Sequence, residues 1–263
     1  MHGAGYMTEG MLAGRGIVVT RPAHQAAPLA ALIRAAGGQP IIFPVLEILA
    51  VADPRPLFEV IDRLETYDLA VFISPNAAAH AMRQIAARRT WPGGLRAAAI
   101  GPGSVSALQR CGVQDVLAPP RGFDSERLLD LPQLRAVAGQ RVVIFRGNGG
   151  RELLGDTLVA RGATVECVEC YRRARPDADA APLLEAWSGN RVHAVIVTSS
   201  EGLRNLVAMV GEAGRRWLQS TPLFVPHPRI AAVARELGCR EVVATAPGDE
   251  GLVAALLGYF SAT

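Results

Sequence analysis

The sequence predicts an α/β protein built on parallel, doubly wound sheets. Three observations carry that expectation. Short apolar runs of strand length alternate with helix-length segments, most runs end in a turn rich in glycine, serine or proline, and the whole pattern recurs at a constant interval.

The first run, Gly16-Ile-Val-Val-Thr20, reads as a strand and ends at Arg21-Pro22. A helix over His24–Ala36 follows, Gly37-Gly38 stops it, and Pro40–Phe43 is the next strand. Val45–Val51 reads as extended chain, and Asp53–Glu65 as a linker merging into a helix. Asp68–Ile73 is a strand whose turn, Ser74-Pro75-Asn76, opens a helix over Ala77–Arg88; serine and asparagine are capping residues, and proline suits a first helical turn. Trp91–Gly94 reads as an exposed loop. The strand Arg96–Ile100, the turn Gly101–Ser104, the helix Val105–Arg110, the stop Gly112 and the strand Asp115–Ala118 repeat the cycle. Pro119–Gly122 is loop and Ser125–Leu129 a short helix.

Arg141–Phe145 is a buried strand that enters the glycine-rich turn Arg146–Gly150, with a helix over Arg151–Arg161 behind it. Gly162 stops that helix, Thr164–Val168 is a strand, Tyr171 follows among arginines, and Arg172–Asp179 has the charge and proline of a linker. The remaining strands are His193–Val197, Pro222–Val225 and Glu241–Ala244. Their helices are Gly202–Val210, Ile230–Leu237 and the closing Gly251–Tyr259.

Landmarks of matching context lie a fixed distance apart. Arg21 and Arg146 each end a strand, Gly37 and Gly162 each stop the next helix, and Ser74 and Ser199 each follow a buried strand, all at separations of 125. Gly112 and Gly238 are 126 apart. The chain therefore reads as two copies of one α/β unit.

Composition narrows the chemistry. Half of the 263 residues are apolar and 19% are charged, as in a globular protein with length enough for two domains, and a net charge of +3 is too mild to point to nucleic acid. Every Lys/Arg position is arginine. Without lysine there is no Schiff-base nucleophile, no Walker-A phosphate loop and no lysine base. The start, Met1–Gly14, lacks the apolar run of a signal peptide, and no stretch is long enough to span a bilayer, so a soluble, cytoplasmic protein is expected. Cys167 and Cys170 form a lone C-x-x-C on a strand-like run, and the five histidines are scattered, so no metal site is expected.

In open α/β sheets ligands bind beyond the carboxyl ends of the strands. The candidate turns are Thr20–Pro22, Ser74–Asn76, Gly101–Ser104, Arg146–Gly150, Thr198–Glu201 and Pro226–Arg229. Taken singly each is ordinary helix-start chemistry; as a set, rich in hydroxyls and backbone N–H groups at helix starts, they suit an anionic ligand. The dinucleotide fingerprint is absent from its standard place, and neither Ser74 nor Ser199 lies in G-x-S-x-G. Tyr171 reads first as an amphipathic packing residue and second as a side chain overlooking a site beside a domain connection.

Val18-Val-Thr-Arg-Pro22, Val71-Phe-Ile-Ser-Pro-Asn-Ala77, Ala99-Ile-Gly-Pro-Gly-Ser104, Val143-Ile-Phe-Arg-Gly147 with Gly150-Arg151, then Tyr171 and Val195–Ser199 occur in this order between Gly16 and Phe260. In order and spacing they resemble the uroporphyrinogen-III synthase family. The resemblance implies two similar doubly wound parallel-sheet domains, flavodoxin-like or Rossmann-like, joined by two extended connections with a cleft between. Residues 1–44 with 172–263 would form a discontinuous domain and 49–167 an inserted one, with 45–48 and 168–171 as the connecting strands.

The implied reaction takes the linear tetrapyrrole hydroxymethylbilane, loses its hydroxyl as water and closes the ring with the last pyrrole inverted through a spiro intermediate. Neither cofactor nor metal is implied. A monomer is expected, receiving its substrate from hydroxymethylbilane synthase. Tyr171 matches the tyrosine that would donate to the leaving hydroxyl. The substrate carries many carboxylates, and the donors expected to hold them are Arg21, Ser74, Asn76, Gly101, Ser104, Arg146, Gly147, Thr198, Ser199, Ser200, His227 and Arg229. Ile73 stands where the family usually has threonine, and Pro226–Arg229 replaces its Gly-Pro-Thr-Thr, so that charge from His227 or Arg229 would stand in there. The competing readings are a non-catalytic two-domain binder of a small anionic metabolite and an enzyme acting on nucleotides or sugar phosphates.

Overall fold

The computed structural model describes residues 10–149 and 152–262. Most of the expected amino-terminal tail, and Gly150 and Arg151 of the expected glycine turn and helix start, lie outside the described residues. In chain order the elements are β1 (Gly16–Val19), α1 (Ala23–Ala35), β2 (Gln39–Ile42), β3 (Glu47–Leu49), α2 (Arg55–Asp62), a 3-10 turn at Leu64–Thr66, β4 (Leu69–Phe72), α3 (Pro75–Arg88), β5 (Arg96–Ala99), α4 (Pro102–Arg110) and β6 (Val116–Leu117). Next come α5 (Ser125–Leu129), α6 (Pro132–Arg135), β7 (Arg141–Gly147), α7 (Leu153–Ala160), β8 (Thr164–Ala174) and α8 (Ala181–Ser188). The chain ends with β9 (Ala194–Ile196), α9 (Ser200–Ser220), β10 (Leu223–Val225), α10 (Pro228–Glu236), β11 (Val242–Ala244) and α11 (Asp249–Ser261).

Contacts divide the chain into two compact units. One combines the stretch up to Glu47 with the stretch from Ala174; the other is Ile48–Arg173. The first unit's sheet has the order β11-β10-β9-β1-β2, the second's the order β3-β8-β7-β4-β5-β6. The pairings from β1 to its neighbours and onward to β11 are parallel, as are those linking β8, β7, β4, β5 and β6.

Both sheets are buried on both faces, which is why their strands read as unbroken apolar runs. In the first, Val18, Val195 and Val225 face Leu183, Leu206 and Ile230 of α8, α9 and α10. Their neighbours Ile17, Val19, Ile196 and Phe224 face Leu29 and Ile33 of α1 and Leu252 of α11. In the second, Phe72 and Phe145 stack with ring centroids 5.0 Å apart, on the side covered by α2, α3 and α4. Val71 and Ile144 turn to α5, α6 and α7.

The repeat has a specific spatial meaning. The offset of 125 superposes β1 on β7, β2 on β8 and β4 on β9, yet β1 and β2 share a sheet with β9, β10 and β11, while β7 and β8 share one with β4, β5 and β6. Each unit is thus assembled from the leading strands of one copy and the trailing strands of the other. Both sheets then have the doubly wound order 2-1-3-4-5, to which β3 adds an edge in the second. The helix stops repeat as well: Gly37 and Gly162 adopt φ of +85° and +86°, the left-handed conformation that ends a helix and that a side chain disfavours.

Several sequence expectations are corrected. The strand expected over Thr164–Val168 runs to Ala174, so Tyr171 lies within it. Its pairing shifts opposite Arg146/Gly147, where Glu169 faces Arg146 and Tyr171 faces Gly147, leaving Cys170 as the extra residue. That bulge buries Cys170 and Tyr171 in succession and breaks the alternation by which a strand is recognised. The helix expected over Gly202–Val210 continues to Ser220 across a break at Gly211, where φ is 60° and ψ −163°. Its second half is held by Trp217, stacked on Trp187 of the unforeseen helix α8. Trp91, expected in an exposed loop, is half-buried against Phe72 and donates its indole N–H to Leu95 O at 3.1 Å.

Candidate active site

The inserted unit builds its candidate site around Tyr171. The bulge turns this side chain inward, and only 4% of it remains exposed. Its ring lies across Gly147: a Cβ there would stand 2.5 Å from Cζ and 2.9 Å from the hydroxyl. Gly147, expected among the substrate donors, is thus where the backbone makes room for the tyrosine. The phenol oxygen lies 3.1 Å from Ser74 Oγ, and either hydroxyl can donate. Ser74 is in turn the cap of α3, accepting the Ala77 N–H at 3.0 Å. His80, one turn further along α3, sets its ring 5.8 Å from the tyrosine ring.

Two expected donors are occupied by the protein's own carboxylates. Arg146 donates to both oxygens of Glu152, at 2.9 and 3.1 Å, and to Gly149 O at 2.9 Å. That guanidinium holds the Glu152 carboxyl below the usual carboxylate range. Arg21, its counterpart in the repeat, pairs with Asp249 at the start of α11. The described part of the glycine turn is also cross-tied: Asn148 accepts the Arg173 N–H at 2.6 Å and donates to Arg173 O at 3.2 Å. The turn therefore works as a brace between β7 and β8.

The other expected residues line two depressions at the carboxyl ends of strands. In the inserted unit Ser74, Gly101 and Ser104, with Ile73, Ile100 and Phe123, surround about 270 Å³. Asn76 sits beside them in the first turn of α3, half-buried. Ser104 is 2% exposed and sits in the first turn of α4. In the other unit Thr198, Ser199, Ser200, His227 and Arg229 line about 300 Å³. Ser199 caps α9 by accepting the Gly202 N–H at 2.9 Å, as Ser74 caps α3. His227 caps α10: its Nδ1 accepts the Arg229 N–H at 3.1 Å, which leaves Arg229 the exposed cation of that pocket.

The structure brings together Ser74, Gly101, Ser104, Gly147 and Tyr171 in one unit and Thr198, Ser199, Ser200, His227 and Arg229 in the other. Sequence reasoning missed His80 and Phe123. His80 carries no motif, and Phe123 follows a Pro/Gly loop with no periodicity to mark it. Among the described residues no group of three or more His, Cys, Asp or Glu side chains is placed to hold a metal ion, and no helix is long and apolar enough to cross a membrane.

Fold and site define an α/β protein of two exchanged, doubly wound units, with hydroxyl-lined depressions at the strand ends and a buried tyrosine at one of them. A family model described as uroporphyrinogen-III synthase HemD matches residues 27–254. The chain belongs to the uroporphyrinogen-III synthase family. It is 39% identical over 246 residues to the uroporphyrinogen-III synthase of Salmonella typhimurium, covering 91% of this chain and 99% of that one. To the Escherichia coli synthase it is 37% identical over 243 residues, with the same coverage. Among solved structures a mutant uroporphyrinogen III synthase from Thermus thermophilus superposes with a TM-score of 0.64 at 19% identity, covering 94% of this chain and 98% of that one. The Helicobacter pylori enzyme gives a TM-score of 0.60 at 13% identity over 93% and 99%. At those identities the likeness is one of fold.

Proposed function

We propose that this chain is a uroporphyrinogen-III synthase that closes hydroxymethylbilane to uroporphyrinogen III with loss of water, and that Tyr171 assists departure of the hydroxyl. Family membership supports the reaction. The observation that supports the residue is the tyrosine's placement, buried on Gly147 with its oxygen 3.1 Å from Ser74 Oγ.

If Ser74 donates its hydroxyl proton to the phenol oxygen, the phenol's own proton is directed at the substrate. The leaving hydroxyl then departs as water, with the electron-rich pyrrole pushing from behind, so the departure asks little of the acid. The remaining work is orientation, distributed over several hydroxyls and helix starts rather than resting on one group. The enzyme so described is a cytoplasmic monomer that needs no cofactor, and it takes its substrate from hydroxymethylbilane synthase.

The test is product analysis. Hydroxymethylbilane generated in situ by its synthase cyclises unaided to isomer I. Adding this protein should divert it to isomer III, and a product that stays isomer I sinks the reading.

A further inference from the structure

The two strand-end pockets occupy the same places in the repeat. Residues 73–75 map onto 198–200 at an offset of 125, and 101–104 onto 227–230 at 126. Position by position their chemistry diverges. Ile73 corresponds to Thr198, Pro75 to Ser200, Gly101 to His227, and Gly103 to Arg229. One pocket has become cationic and hydroxyl-rich, whereas no charged side chain lines the other.

We propose that the apolar pocket of the inserted unit is a pyrrole-ring subsite, with Phe123 as the wall against which one ring of the substrate lies and Ser104 Oγ as the acceptor for that ring's N–H. This inference rests on the proposed function and names which part of the substrate the pocket takes.

Three observations carry it. Phe123 is 51% exposed, unusual for so large an apolar side chain, yet it is held in place. It packs over Gly101, whose missing Cβ would come within 3.2 Å of the Phe123 Cβ, and Asp124, next in the chain, caps α5 by accepting the Arg127 N–H at 2.8 Å. A pre-set aromatic face offers offset or edge stacking to a flat ring without the cost of ordering it. Ser104 lines the pocket from the first turn of α4, and its hydroxyl is an acceptor open to a ligand N–H. The pocket's 270 Å³ falls below the roughly 300–1,000 Å³ of a site for a whole drug-sized ligand, so it suits a single ring. A carboxylate placed there would lose its hydration with no cation in return. The sister pocket is the one with a cation: Arg229 is exposed, makes no ion pair among the described residues, and sits in the first turn of α10, where the helix dipole opposes it unless an anion is near.

The experiment has two arms. In the first, Phe123→Leu, Phe123→Tyr and Arg229→Gln are assayed for kcat, KM, salt dependence and the ratio of isomer III to isomer I. Losing the aromatic contact should lower kcat/KM about three- to tenfold for Phe123→Leu, with salt dependence kept, while Phe123→Tyr stays within about twofold of the parent. Arg229→Gln should raise KM and flatten the salt dependence. In the second arm, backbone amide NMR of the unmodified protein is titrated with 2,4-dimethylpyrrole, which has no carboxylate, and separately with succinate. The pyrrole should shift Gly103 and Ser104, and succinate should shift Ser200 and Arg229. An unchanged kcat/KM in Phe123→Leu, or succinate rather than the pyrrole shifting Ser104, overturns the proposal. Should the unmodified protein yield only isomer I, the function itself fails, and the titration still decides whether the pocket takes a pyrrole.

Discussion

Tyr171 and Ser74 lie 97 residues apart in sequence and share a hydrogen bond of 3.1 Å. The serine belongs to the trailing strands of the first copy and the tyrosine to the leading strands of the second, so the pair exists only because the copies exchange halves. Ser74 Oγ meanwhile accepts the Ala77 N–H, which ties the tyrosine's orientation to the start of α3.

Replacing Tyr171 with phenylalanine keeps the ring on Gly147 and removes only the hydroxyl. Stability should fall by about 1 kcal/mol, the worth of one hydrogen bond. Ring closure should slow by roughly ten- to a hundredfold, equivalent to about 1.4–2.8 kcal/mol of transition-state stabilisation. Single-turnover kinetics with freshly generated hydroxymethylbilane measure this, and an unchanged rate removes the phenol from the chemistry.

The repeat provides an internal comparison for Ser74. Ser74→Ala and Ser199→Ala each delete a helix cap, and each should cost about 1 kcal/mol, seen as a melting shift of about 2–4 °C. Only Ser74→Ala also releases Tyr171, so its loss in kcat should be the larger. Equal losses in kcat from equal melting shifts would show that the serine acts as a cap alone.

Gly147→Ala places a methyl group 2.5 Å from Tyr171 Cζ, a contact that must move the ring. The rate should fall at least as far as in Tyr171→Phe. If the glycine acts through the tyrosine, adding Gly147→Ala to Tyr171→Phe should cost little more in rate. A fully additive double mutant would give the glycine a separate role.

Stability should decline in alkali for a reason located at Cys170. Burial pushes its thiol from the ordinary 9.0 up to about 12. Below pH 9.0 the thiol is neutral in both folded and unfolded chains; above it the unfolded chain loses the proton first, so stability falls as pH rises toward about 12. The slope from this group is at most about 1.4 kcal/mol per pH unit. Buried Cys239 is pushed in the same direction. Denaturant titrations from about pH 8 to pH 10 should therefore show a shallower decline for Cys170→Ala than for the parent, even with its lower starting stability. Parallel declines would place the effect elsewhere.

Much of this protein was legible before folding. Strand-length apolar runs marked most of the strands, because residues buried on both faces need no alternation to be recognised. The hydroxyls at Ser74 and Ser199 marked helix starts because a cap is a local interaction, and Gly37 and Gly162 marked helix ends for the same reason. Local rules failed where the chain departs from regular geometry. The bulge at Cys170 hid the second half of β8, and the break at Gly211 hid the second half of α9.

The sequence by itself determined most of the strands, their turns, the duplication and the family, since each is written in short-range pattern or fixed spacing. The apolar pattern left open which copy's strands share a sheet, because an apolar run specifies burial and not the identity of its neighbour across a parallel pairing; the family resemblance implied a discontinuous first domain, and the strand orders themselves come from the tertiary structure. From that followed the approach of Tyr171 to Ser74, the room that Gly147 leaves for the ring, and the placing of Phe123 over Gly101. The same contacts decided that Arg21 and Arg146, free donors on paper, hold Asp249 and Glu152 instead. A guanidinium beside a carboxylate of its own chain is already paired, and only the fold shows which carboxylate is near.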